Sequence, residues 1–193
     1  ALEASRNIDV VLFDKTGTLT KGEQGVVDVI TDDKQNVLAR AAAVEHESEH
    51  PIARAIVAAA DSAAYKKLTV SGFNSLSGRG ATATVDGDEI HIGGPRMLEE
   101  LNVSLPSALK KQTDAAANEG KTVVYVVSGG SIEGAIMLAD VIREESKQAV
   151  DDLHKAGKRV AMLTGDSEGV AKWVADQLGI DEYFAEVLPE HKA

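Results

Sequence analysis

The chain has 193 residues, 44% of them hydrophobic and 26% charged, which is enough apolar content for a buried core and too polar for a membrane protein or a disordered tail. Twenty basic residues against 31 acidic ones leave a formal charge of −11, which repels nucleic acid and anionic membrane surfaces, so an anionic ligand has to be held locally by backbone amides, a few cations or a bridging metal. With no cysteines, disulfides and thiolate metal sites are excluded. The apolar runs are too short to span a bilayer, there is no signal-like N-terminus, and the start at Ala1 without a methionine reads as a piece of something larger.

Residues 8–13, IDVVLF, form a short β-branched run that leads into Asp14 and read as a buried parallel strand. Residues 25–130 do not continue an α/β rhythm. They read as helices over 33–44 and 51–64, a strand over 68–75, a hairpin of 81–85 and 88–92 around Asp86-Gly87, helices over 95–101 and 105–119, and a strand over 122–127. From 131 onward strands and helices alternate: a strand at 132–139, a helix from 144 closed by Gly157, a strand at 159–163, a helix at 167–178 stopped by Gly179, and a last strand at 183–187. The expected fold is α/β: a parallel sheet covered on both faces, built from 1–24 and 131–193, with an α+β domain carrying an antiparallel sheet inserted at 25–130.

Two stretches carry chemistry. His46-Glu47-Ser48-Glu49-His50 fits the H-E-x-x-H pattern of a zinc hydrolase, but Pro51 disfavours helix at His50, so the two histidines are not expected on one helical turn. Pro51 fits better as the first residue of the next helix. Asp14-Lys15-Thr16-Gly17-Thr18-Leu19-Thr20 follows the first strand at its carboxyl end, where open α/β sheets place ligands and where a carboxylate can attack a phosphoryl group. Gly120-Lys121-Thr122 lacks the earlier glycine of a phosphate-binding loop and reads as a helix end; His91 and His154 read as surface residues, and His46 as exposed rather than a ligand.

The seven residues from Asp14 to Thr20 resemble the phosphorylation motif of the P-type ATPases, within the wider haloacid-dehalogenase pattern. Phosphatases of that pattern carry a second aspartate two residues after the nucleophile; here Thr16 stands there, which implies a long-lived phosphoenzyme. Thr164-Gly165-Asp166 resembles the second phosphate-site loop, with Thr164 donating to phosphoryl oxygens. Asp140 and Arg143 resemble the segment flanking the site, and Lys192 the lysine that neutralises developing charge. The same resemblance implies that Mg2+ is held by Asp14 and the Thr16 carbonyl, and that Lys15 adds positive potential. Ser48-Glu49-His50-Pro51 is similar to the nucleotide-binding signature of the heavy-metal branch, with Glu45 as an acidic adenine contact, His50 beside it, and Gly78-Arg79-Gly80 as the glycine loop. Gly93 and Gly94 fall where relatives carry Gly-Asn, so contact at Gly94 is expected through backbone alone.

The resemblance covers residues 2–193 and is nearest the CopB-like copper pumps. It implies a cytoplasmic part of a membrane protein that binds ATP and Mg2+ and forms an aspartyl phosphate when its domains close. The implied partners are an actuator domain, membrane helices and a transported metal ion bound within those helices. A further Gly-Asp-Gly-x-Asn-Asp segment that supplies a magnesium carboxylate in the family is not found before residue 193, so weak self-phosphorylation is expected. A haloacid-dehalogenase-type phosphatase is the alternative and a zinc hydrolase the remote one.

Overall fold

The computed structural model describes residues 9–76 and 79–187, and the chain divides into two units. The first is built from the residues up to Glu23, Asn118–Gly120, and those from Asp140 onward; the second is Gln24–Ala117 with Lys121–Ala139.

In the first unit, β1 (Val10–Asp14), β8 (Arg159–Leu163) and β9 (Glu182–Phe184) form a parallel sheet in that order. Helices α6 (Glu144–Lys155) and α7 (Glu168–Leu178) cover one face of it: Val150, Ala171, Val174 and Leu178 meet Val160, Met162 and Phe13 in a single apolar cluster. Helix α6 carries Glu144 and Glu145 in its first turn and His154 and Lys155 in its last, each sign opposing the helix dipole it faces. Helix α7 ends on Gly179 at φ 73, the left-handed cap that glycine supplies without strain. The expectation of a sheet covered on both faces is corrected. Both helices pack on the Val160 side, and on the strands Val10, Leu12 and Phe184 are exposed. The last strand also ends at Phe184 rather than Val187.

The second unit is a six-stranded sheet in the order β2-β7-β6-β5-β4-β3, made of β2 (Thr20–Ile30), β3 (Val70–Leu76), β4 (Gly80–Val85), β5 (Asp88–Gly93), β6 (Thr122–Ser128) and β7 (Ser131–Ile142). β3 to β7 pair antiparallel in succession along that order. Helices α1 (Lys34–Glu45), α2 (Pro51–Ala59) and α3 (Ser62–Tyr65) cover one face, and α4 (Pro95–Glu100) and α5 (Ser107–Asn118) the other. β6 serves both cores: Val124 and Val126 face the α1 side, while Tyr125 and Val127 pack with Met97 and Leu98 of α4. That explains a run with no polar alternation. The Asp86-Gly87 turn has both residues at positive φ, 50° and 92°, as a two-residue hairpin of this hand requires.

Three expectations change here. The strand beginning near 132 does not open the parallel rhythm. Gly129 and Gly130 take φ 55 and 76, a second two-residue turn that folds β7 back on β6 with Ser128 opposite Ser131. The helix expected over 51–64 is two, because Ala60 is extended at ψ 148 and Asp61 caps α3 by accepting from the Ala63 N–H. β2 was not expected at all: its first half, Thr-Lys-Gly-Glu-Gln-Gly, has no apolar alternation, and it is a sheet-edge strand.

Candidate functional site

The two groups of residues singled out above fall in different units. In the first unit, parallel pairing sets Asp14 opposite Leu163, so the ends of β1 and β8 lie side by side and Thr164 follows directly at the same edge. Asp14 is exposed there. Lys15–Leu19 turn tightly, with Thr16 extended (ψ 124) and Gly17 at φ 78. Arg143 clamps this loop by donating to the carbonyls of Thr20 at 3.2 Å and Gly17 at 3.2 Å, and Ser146 Oγ donates to the Leu19 carbonyl at 3.0 Å. The 164–166 loop is tied to the end of β9 and the segment after it, through Thr164 N–H to the Phe184 carbonyl and Glu186 N–H to the Asp166 carbonyl, both at 2.9 Å.

Lys15 is 2% exposed, and its Nζ lies 2.6 Å from Asp140 Oδ2 and 2.9 Å from Asp166 Oδ2. Burial alone pulls the ammonium down, but the two carboxylates outweigh it and hold it above the usual lysine value. Its charge is thus paired with Asp140 and Asp166 in this structure. The Thr164 hydroxyl donates to Asp166 Oδ2 at 2.5 Å and accepts from the Asp166 N–H at 3.1 Å. To donate to a phosphoryl oxygen it has to leave Asp166. For Mg2+, which needs only one or two protein carboxylates beside phosphate and water oxygens, the exposed Asp14 carboxylate and the Thr16 carbonyl fit that role. No group of three acidic or histidine side chains suited to a metal occurs among the described residues. Lys192 lies outside the described residues.

In the second unit, a cleft of about 570 Å³ is lined by Glu45, Ser48 and His50 from the α1–α2 connection, by Arg79 and Gly80 from the β3–β4 turn, and by Gly93 and Gly94 after β5. It thus brings together five of the six residues expected to contact nucleotide; Gly78 lies outside the described residues. Glu45 is 7% exposed, and burial pushes its carboxyl up, against a hydrogen bond with Ser48 that acts the other way. His50 caps α2: its Nδ1 accepts from the Ile52 N–H at 3.3 Å, which leaves Nε2 to carry the proton of a neutral ring, and Pro51 is the first helical residue. His46 instead ends α1, with Nδ1 2.8 Å from the Ala43 carbonyl, and does not line this cleft. The two histidines sit on two helix ends and not one turn apart on one helix, so the zinc-hydrolase geometry is absent.

The glycines split into two kinds. A Cβ on Gly80, at φ 125, would lie 1.9 Å from the Ile92 carbonyl oxygen, and one on Gly93 would lie 2.2 Å from the Arg79 carbonyl oxygen. These two are glycine because another stretch of backbone lies where a Cβ would stand. Gly94 has nothing within 4 Å of its Cβ position and is the one that opens space. Ser48 and Arg79 were quoted in the motifs but not singled out; both line the cleft. The residue between two loop glycines carries no sequence signal of its own. His154, expected to be solvated, lies 2.8 Å from Asp181 Oδ2.

Residues 8–192 match the family model described as haloacid dehalogenase-like hydrolase, and the chain belongs to that family. Within it, homology runs the whole length of the chain to copper-exporting P-type ATPases. The chain is 41% identical over 195 residues to copper-exporting P-type ATPase B of Archaeoglobus fulgidus, covering 100% of this chain and 28% of that protein. It is 40% identical over 194 residues to the probable copper-exporting P-type ATPase V of Mycobacterium tuberculosis, covering 99% and 25%. The chain therefore spans about a quarter of the length of these relatives. Among solved structures, a zinc-transporting PIB-type ATPase in its E2.Pi state matches with a TM-score of 0.80 at 33% identity over 96% of this chain and 30% of that one. The catalytic domain of the CPx-ATPase CopB-B, solved in a study of nucleotide binding, matches at 0.56 and 29% identity over 98% of this chain and 66% of that one. No helix among the described residues is long and apolar enough to cross a membrane.

Proposed function

We propose that this chain is the nucleotide-binding and phosphate-accepting part of a P-type ATPase that exports a heavy-metal ion, copper being the cargo named for the two relatives given above. The observation that carries the reading is the pairing of Asp14 with Leu163 at one end of the sheet, which sets an exposed aspartate next to the strand end that Thr164 follows. Adenine occupies the second unit's cleft, with Glu45 and His50 facing the base. At the other site Asp14 attacks the γ-phosphorus, the bond to the ADP oxygen breaks, and the phosphoryl group is carried as an aspartyl phosphate. Thr164 turns from Asp166 to a phosphoryl oxygen, and Lys192 is assigned the neighbouring charge. When bound by Asp14 and the Thr16 carbonyl, Mg2+ neutralises phosphate charge. Thr16 cannot act as acid or base, so the phosphoenzyme outlasts that of a phosphatase. The source is a cytoplasmic region of a membrane protein, with the ion, the actuator domain and the membrane helices as partners in the whole pump.

Calorimetry with a non-hydrolysable ATP analogue tests this. Binding is expected to be saturable and to weaken about tenfold in His50→Asn, a substitution that keeps an N-cap acceptor, now the amide oxygen in place of Nδ1, while removing the imidazole. No binding, together with fast hydrolysis of p-nitrophenyl phosphate by Asp14, would replace the proposal with the phosphatase reading.

A further inference from the structure

The cleft in the second unit has one permanently cationic side chain on its lining, and it comes from the wall opposite in sequence to the base-facing residues. Glu45, Ser48 and His50 arrive from the α1–α2 connection, whereas Arg79 arrives from the β3–β4 turn. In a chain of net charge −11, a polyanion entering this cleft meets in Arg79 the one permanent cation among its described lining residues. Two features fix the Arg79 backbone: its N–H donates to the Leu76 carbonyl at 2.9 Å, and its own carbonyl oxygen sits against Gly93, where no Cβ fits. The side chain, by contrast, is 44% exposed and only loosely paired, with Nη1 3.5 Å from Glu100 Oε2. Glu100 has a second partner, Arg96 Nε at 3.3 Å from Oε1, so it keeps an ion pair when Arg79 leaves. An exposed pair of this length is worth little, and exchange of a carboxylate for a phosphate suits a guanidinium, whose fork binds two phosphate oxygens at once.

We infer that Arg79 is the phosphate-binding residue of this cleft, held in reserve by Glu100 and handed to the phosphate chain of the nucleotide when it binds. The inference rests on the nucleotide reading of the cleft given above. It makes the cleft selective for the charged tail and not only for the base, a role separate from that of Glu45 and His50. The Gly80 and Gly93 contacts follow from it: they hold the Arg79 backbone in place while leaving its arm free.

Calorimetric titration with adenosine, AMP and a non-hydrolysable ATP analogue tests it, in the wild-type chain and in Arg79→Ala, Arg79→Lys and Glu100→Gln. Wild type is expected to bind the triphosphate more tightly than adenosine. Arg79→Ala is expected to lose about tenfold for the triphosphate and nothing for adenosine, with Arg79→Lys intermediate because a point charge cannot make the paired contact. Glu100→Gln releases the arginine and is expected to tighten triphosphate binding about twofold, a gain that damage to the fold does not produce. Equal losses for adenosine and triphosphate in Arg79→Ala, or no loss for either, would overturn the inference while leaving the cleft a nucleotide site. Failure of the wild-type chain to bind any of the three would overturn the nucleotide reading first, and this inference with it.

Discussion

The two candidate sites handle charge in opposite ways. In the first unit Lys15 is buried between Asp140 and Asp166, Thr164 is bonded to Asp166, and Arg143 is bonded to the loop carbonyls, so the polar groups around Asp14 are engaged with one another. In the second unit Glu45 and Arg79 line the same cleft from different elements, and neither is an ion-pair partner of the other. The first arrangement holds the loop after Asp14 in one geometry, because Arg143, Ser146 and Lys15 are each bonded within it or to its neighbours. The second leaves a cleft whose polar groups are open to a ligand. A motif that is dense in charged residues can therefore have those charges engaged with one another.

The largest expected break in this contrast is Lys15→Met. Removing the ammonium leaves Asp140 and Asp166 facing each other around a buried methyl group. Loss of one member of a fully buried pair costs about 3–5 kcal/mol, and since both carboxylates are partly exposed the cost here is set at about 2–3 kcal/mol. Trp173, the chain's single tryptophan, packs against the first unit's core, so its fluorescence during urea unfolding reports that unit. Nucleotide binding by the second unit is expected to survive. An unchanged tryptophan midpoint would show that the lysine is dispensable to the loop and that the locked description is wrong.

Next in size is a pair of glycine substitutions that separates shape from access. Gly80→Ala puts a methyl group 1.9 Å from a backbone oxygen at φ 125, and relief of both faults is expected to cost about 2–3 kcal/mol, seen as a lower unfolding midpoint by circular dichroism. Gly94→Ala meets nothing within 4 Å at an ordinary φ of −79, so stability is expected to change by less than about 0.5 kcal/mol. If nucleotide lies over Gly94, that same methyl group weakens binding. Equal stability of the two variants would remove the distinction drawn between the glycines.

Much of this was legible in the sequence because the informative residues are short-range signals. Asp14 at a strand end, Pro51 as a helix start, and Asp86-Gly87 as a turn each act through neighbours one to four residues away. The Gly129-Gly130 turn was equally local, and its neglect put β7 in the wrong sheet. What sequence could not supply was partnership at long range. Lys15 meets Asp140 across 125 residues, His154 meets Asp181 across 27, and nothing in the spacing says that these side chains bond to each other. The same holds for Gly80 and Gly93, whose common need for glycine appears only when the ends of β4 and β5 are brought together by antiparallel pairing.

The smallest effect expected is also the one that sets the two units against each other most directly, through pH. In the second unit, burial raises the Glu45 carboxyl, so the folded state holds its proton at pH values where the unfolded chain has released it. Its contribution to stability is therefore full below the ordinary carboxylate value and falls as pH rises from there to the raised value. In the first unit, Asp181 is lowered, first by the Val160 N–H and then by His154, so its contribution is present above the ordinary carboxylate value and is lost as pH falls toward the lowered one. Acidification through the carboxylate range thus favours the second unit at Glu45 and weakens the first at Asp181. Comparing unfolding midpoints against pH for Glu45→Gln and Asp181→Asn with those of the wild type isolates the two slopes. Glu45→Gln should remove a loss of stability on raising the pH, and Asp181→Asn a loss on lowering it. Slopes of the same sign would mean that the Glu45 carboxyl is solvated, and a solvated Glu45 could not be the buried wall on which recognition of a base in the cleft depends.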